Sequence, residues 1–237
     1  MTDVSISVDM PAPQIHERAA WNISGWAALA LGVLGTVASF ALIFLGAELT
    51  EQNGGAGAAL AIVGALLLLA IGIAATGLTA VALGEARVIQ LLGHYMGTVR
   101  APGLRLTVPL TQKQRVSTRI RNHETEVSKV NDADGNPIEM AAVVVWQVTD
   151  TAKAVFEVDD FVEFVAFQTE TAVRHIASSY PYDGQDAAIS LRQNADEITS
   201  RLSAEIQARV ASAGVTVIES RITHLAYAPE IAQAMLR

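Results

Sequence analysis

The sequence predicts a membrane protein in two parts: an N-terminal transmembrane α-helical hairpin followed by an α/β domain. Three observations carry this. Two long apolar runs without a charge stand near the N-terminus. Only 17% of the 237 residues are charged, against about a quarter in an ordinary soluble domain, and the shortfall lies before Leu83. Beyond Leu83 the apolar runs give way to alternating strands and striped helices separated by turn residues.

The first run, WAALALGVLGTVASFALIFL, covers 26–45, and the second, AALAIVGALLLLAIGIAATGLTAVAL, covers 58–83. A span needs about 20 apolar residues, and a charge at its centre costs roughly 2.5–3.5 kcal/mol on insertion scales. Both runs are apolar on every face, which argues against buried core helices. The polar tail 1–25 holds Asp3, Asp9, Glu17 and Arg18, unlike the short basic start of a signal peptide. The connecting loop 46–57 has no Lys or Arg, whereas Arg18 precedes the first span and Arg87, Arg100 and Arg105 follow the second. The positive-inside rule therefore places both ends in the cytoplasm and the loop outside. Trp21 and Trp26 suit an interfacial anchor. Small residues at four-residue spacing, Ala28, Gly32 and Thr36 in one run and Ala61 and Ala65 in the other, suit close helix packing or simply reflect the abundance of Gly and Ala in spans.

The soluble part begins with the strand ARVIQLL and the turn glycines Gly93 and Gly97. Pro102-Gly103 marks a turn. Leu104, Leu106, Val108 and Leu110 then alternate with polar residues as a strand with one apolar face. Coming soon after a membrane exit, that face is expected to meet the cytoplasmic bilayer surface or to pack against the second span. Val116, Thr118 and Ile120 share a face of the next alternating stretch. The strand PIEMAAVVVWQV puts Ile138, Met140, Ala142, Val144, Trp146 and Val148 on one face and Val143 and Val145 on the other, as if buried on both sides.

Helices follow. Asp150 is an N-cap, and Asp160 with Glu163 resembles a capping box. The helix from there to Tyr180 has a stripe of Val162, Val165, Thr169, Val173 and Ile176, and Pro181 ends it. Phe167 lies nearly opposite the stripe. Either this helix is buried on two sides or Phe167 meets a neighbouring subunit. Ser190 and Asn194 are candidate caps for a helix with Leu191, Ala195, Ile198, Leu202, Ile206 and Val210 inside. Glu205 and Arg209 form an i,i+4 pair assigned to its polar side, and Gly214 stops it. VTVIESRITHLAY is a final strand, and Pro229 opens a last helix.

Chemistry is sought and little is found. Net charge is −8 with no basic run, which argues against nucleic acid as a partner. There is no cysteine, so thiolate catalysis and Cys-based metal sites are excluded. The stretch SKVNDADGNPIEM imitates a calcium loop. With Gly135 at the sixth position, however, the first and twelfth ligand positions fall on Val130 and Ala141, both apolar. Asp134-Gly135 reads instead as the type I′ turn of a β-hairpin. No two of the five histidines share a helix at metal spacing, and no nucleophile, base and orienter occur together. No catalytic, cofactor or metal residue is assigned.

Several stretches together resemble the stomatin/prohibitin/flotillin superfamily, with its SPFH or Band 7 domain. They are GEARVIQLLGHYMGTVRAPGLRLTVPL, KVNDADGNPIEMAAVVVWQVTDTAKAVFEV, TETAVRHIASSYPYD and ARVASAGVTVIESRITHLAYAPEIAQAM. The likeness runs from about Leu83 to Arg237, and the paired spans resemble a bacterial branch. The resemblance implies an SPFH domain over 84–227 with a mixed or antiparallel sheet and packed helices. It implies a short start, 228–237, of what is in the family a long coiled-coil helix. It also implies a non-enzymatic scaffold of the bacterial inner membrane that homo-oligomerises into a ring or cage and organises a membrane microdomain. The alternatives are a regulatory subunit of a membrane protease or channel and, less favoured, a membrane-bound hydrolase. The partners are then the lipid bilayer, copies of the chain itself and a membrane protease or channel, with no cofactor. Phe167, Pro229 and Ile231 are the candidate oligomer contacts.

Overall fold

The structure, a computed structural model, describes residues 15–183 and 189–229, with the backbone alone at 52 and 53. It divides into two compact units, one of Arg18–Ser117 and one from Thr118 onward together with residues 15–17.

In the first unit, helical backbone runs over Gly25–Ala75 and doubles back on itself as α1 (Gly25–Glu51) and α2 (Gly54–Ala75). At 1.5 Å per residue these reach roughly 40 and 33 Å, enough for a hydrocarbon core of about 30 Å. Small residues make the seam. A Cβ on Gly46 would lie 2.6 Å from the Ala61 amide nitrogen, one on Gly64 2.8 Å from the Ser39 carbonyl, and one on Gly35 2.8 Å from Ile71. Gly32 has Ile71 at 4.0 Å, so the tight contacts fall mainly on other glycines than the expected four-residue series. Hydroxyls inside the hairpin are satisfied by their own helix: Thr36, Ser39 and Thr50 donate to the carbonyls four residues back. The outward surface is apolar, with Leu31, Val37, Phe44, Ile62, Leu66 and Leu69 all exposed.

The expected second span, 58–83, is corrected at both ends. Helix begins at Gly54 and stops at Ala75. Gly77 abuts the Thr107 backbone too closely for a side chain, and Leu78–Val81 leaves as strand β2. The apolar character of LTAV comes from pairing in a sheet, not from a membrane. The expected loop 46–57 likewise contracts to the turn between Glu51 and Gly54.

The rest of this unit is two small antiparallel sheets. β5 (Gly103–Leu106) lies between β1 (Ile23–Ser24) and β2, with Ser24 and Thr79 both opposite Arg105. β3 (Glu85–Leu91) lies between β4 (His94–Val99) and β6 (Gln112–Ser117). Gly97, at φ +135°, is needed because a Cβ there would sit 2.7 Å from the Ala20 backbone. Its absence lets Arg18–Ala20 run beside β4 through Ala20 N–H to Thr98 O and Thr98 N–H to Arg18 O. Two further corrections concern strand lengths. The strand expected through Leu110 ends at Leu106, and Leu110 stands in a turn at φ +59°. The alternating stretch after Val116 breaks at Ser117, leaving Ile120 exposed before β7 (Arg121–Glu124).

In the second unit, β9 (Pro137–Val148) is the central strand. It pairs antiparallel with β10 (Val215–Tyr227) on one side. On the other, β7 pairs with its C-terminal half and β8 (Ser128–Asn131) with its start. Its expected inward face, Ile138 to Val148 by twos, is wholly buried. Val143 and Val145 on the opposite face are only half-buried, so burial on both sides does not hold there.

Three helices follow β9: α3 (Thr151–Phe156), α4 (Phe161–Ser179) and α5 (Ala195–Val210). Asp150 accepts from the Lys153 amide and Asp160 from those of Val162 and Glu163, satisfying amides that the first helical turn leaves open. α4 buries Val165, Thr169, Ala172, Val173, Ile176 and Ala177, while α5 buries Ile198, Leu202, Glu205, Ile206 and Val210. Each large aliphatic in that set contributes about 1.5–3 kcal/mol by leaving water. Val162, assigned to the stripe, is exposed at its end. Gly214, at φ +67°, closes α5 and its trailing 3₁₀ turn Ala211–Ala213.

Candidate functional site

Acids and histidines are the natural starting point for chemistry. Among the described residues, no three His, Asp or Glu side chains converge on a point that could hold a metal ion. What the acids do is visible in two places.

The first is the turn between β8 and β9. Asp132 is buried, and its Oδ1 accepts the amides of Asp134 (3.0 Å) and Asn136 (2.8 Å). Its Oδ2 accepts the Tyr182 amide at 3.0 Å and the Asn136 side-chain amide at 3.3 Å. Gly135 has φ +85°, but Asp134 does not share a positive φ, so the turn is not of type I′. It is a wider loop organised by a carboxylate that hydrogen-bonds its own backbone two and four residues on. Beside it, the Tyr182 and Tyr227 rings lie 4.1 Å apart. The Tyr227 phenol is pushed above its ordinary value, first by burial and then by the negative charge of Asp132.

The second is Glu205. Assigned from sequence to the polar side of α5, it is instead wholly buried. Its Oε1 accepts from Arg209 Nη2 at 2.8 Å and Nε at 3.2 Å, and its Oε2 lies 2.9 Å from His175 Nδ1 on α4. The carboxylate thus ties the two helices together. His224, the other paired histidine, lies 3.8 Å from Glu139. Neither acid, in its turn or between its helices, stands at the head of a cleft with a nucleophile.

The surface carries more than these acids do. Phe167 projects from α4 with 69% of its surface exposed. It lines an open groove of about 580 Å³ with Phe156, Phe164, Asp159, Asp160 and Glu163. Pro229 is exposed just past β10, and Ile231 lies outside the described residues. Leu104, Leu106 and Val108 are half-buried, and Leu110 is exposed. A Cβ on Gly25 would meet Leu104, and one on Gly77 would meet Leu106, so these two leucines lie over the start of α1 and the end of α2. The four residues do not form one strand face. Sequence reasoning missed that Leu92 and Leu110 stand in turns, both at positive φ and both exposed. The adjoining Gly93 was the signal for the first, and Pro109 for the second.

The model of the SPFH domain / Band 7 family matches residues 80–237, about two thirds of the chain. The chain belongs to the SPFH domain / Band 7 family. A search of curated proteins found no match. The Band 7 match opens inside β2, four residues before the expected start at 84.

Proposed function

We propose that this Band 7 protein is a membrane-anchored scaffold that assembles with copies of itself into a large ring or cage and organises the bilayer around it. The observation that carries the reading is the hairpin of α1 and α2, apolar over its outer surface and attached to a Band 7 domain. Exposed apolar area on this scale calls for lipid or protein cover. Phe167 is the contact proposed within the domain's helices, with Pro229 and Ile231 at the last helix. The basic residues flank the two ends of the hairpin, and its turn side carries Glu48 and Glu51 without Lys or Arg. That supports a cytoplasmic domain and cytoplasmic termini on the inner membrane of a bacterial cell. The role is structural, without catalysis.

The test is the mass and image of the particle after gentle solubilisation. Light scattering and negative-stain images giving a closed multi-subunit particle support the scaffold. A clean monomer overturns it. A stoichiometric protease or channel on the particle assigns the role of regulatory subunit instead.

A further inference from the structure

The hairpin has two feet, and each carries a cation that meets no acid among the described residues. At the foot of α1, Arg105 on β5 stands opposite Ser24, the residue before Gly25. Its Nη2 reaches only the Pro102 carbonyl, at 3.4 Å, and its Nε is buried with no partner. At the foot of α2, Lys113 on β6 places its ammonium on the carbonyl of Thr76, the residue after Ala75. Among the described residues, both thus meet backbone carbonyls. The nearby acid Glu85 is engaged by Arg115.

The buried Nε is out of reach from outside the chain, but the Nη2 end of Arg105 is exposed, where an external acceptor can meet it. The surroundings say what that is. Trp21, Ile23 and Trp26 are exposed around the first foot, and aromatic residues of this kind sit at headgroup level. Leu110 is exposed beside the second foot, with its amide on Thr76 Oγ1 at 3.0 Å. Its left-handed backbone, at φ +59°, leaves an apolar side chain exposed next to a membrane exit. Burial also lowers the Lys113 ammonium from its ordinary value, and an anion at that point would oppose that shift.

We propose that Arg105 and Lys113 bind the phosphate headgroups of anionic phospholipids, one cation at each foot of the hairpin, with Trp21, Trp26 and Leu110 seated in the adjoining interface. The inference rests on reading α1 and α2 as a membrane hairpin. It adds to that reading a chemical preference: the leaflet at the hairpin's feet is selected for negative charge.

The experiment reconstitutes the full chain in nanodiscs of mixed phosphatidylcholine and phosphatidylglycerol and counts retained lipids by native mass spectrometry after release into mild detergent. Phosphatidylglycerol should be enriched over its bulk share by about fivefold per cation, a factor that high salt reduces. The R105Q/K113Q variant should return to the bulk ratio while still inserting, and R105K/K113R should keep the enrichment. Arg174→Gln, at an exposed site on α4, should change nothing. No enrichment in the natural chain, or equal enrichment in R105Q/K113Q, overturns the proposal. A chain that fails to insert at all overturns the hairpin reading and this inference with it.

Discussion

Arg209 holds Glu205 at 2.8 Å inside the second unit, and the carboxylate it holds has no solvent exposure. A buried charge of this kind is tolerable only while paired. Removing Arg209 leaves Glu205 with His175, which is itself half-exposed. Arg209→Met should therefore destabilise the domain by about 3 kcal/mol, the lower end for breaking a buried pair. Glu205→Gln, which keeps the shape and removes the charge, should cost less. Thermal melting of both variants in detergent checks the order. Equal melting temperatures for Arg209→Met and the natural chain would show that the pair contributes nothing.

Asp132 accounts for the turn that sequence reading gave to Asp134 and Gly135. Its two oxygens accept three backbone amides and one side-chain amide. Asp132→Ala should cost roughly 3 kcal/mol, because buried donors lose a charged acceptor, whereas Asp134→Ala should cost under about 0.5 kcal/mol as a surface change. The same geometry predicts no response to calcium, since the one carboxylate buried in the loop already has both oxygens occupied. Isothermal titration should show no heat of binding, and calcium should not shift the melting temperature.

Tyr227 supplies a pH signature. Burial, aided by the Asp132 charge, raises its phenol above the ordinary value of 10.0. With a raised value the folded state keeps a proton that the unfolded state releases, so folding stability must fall as protons are withdrawn. The contribution is intact below about pH 10 and is lost as pH climbs from there through the folded value. Melting curves from pH 9 to 11.5 should steepen downward above pH 10, and Tyr227→Phe should remove part of that slope. An identical slope in the two proteins would sink the assignment.

Much of the architecture was legible because local physics and tertiary packing agree. Twenty uncharged residues from Trp26 and the alternation from Ile138 to Val148 each have one stable use, and the caps at Asp150 and Asp160 satisfy open amides wherever a helix begins. What was not legible required long-range information. LTAV extends an apolar run without a break, and only pairing with β5 makes it a strand. Glu205 has the spacing of a surface ion pair, and only the approach of α4 buries it. Asp132 looked like one ligand of a failed metal loop, since its partner Tyr182 lies fifty residues away. Arg105 and Lys113 are ordinary in sequence; the proposal made for them rests on the helix ends beside them.

Phe167 distinguishes the two explanations left open for α4. Its ring is 69% exposed while the opposite stripe is buried, so the helix is not buried on two sides within the chain. An exposed aromatic beside Phe164 over an acid-rimmed groove has apolar area to hide and little role in its own fold. Phe167→Asp should thus leave the folding stability of a dissociated subunit within about 0.5 kcal/mol of the natural one. It should also weaken self-association at least tenfold, as the loss of an aromatic interface anchor worth about 2 kcal/mol requires. Sedimentation of the detergent-solubilised particle over a dilution series reads both species at once. Unchanged assembly with an unchanged melt would sink the proposed contact at Phe167.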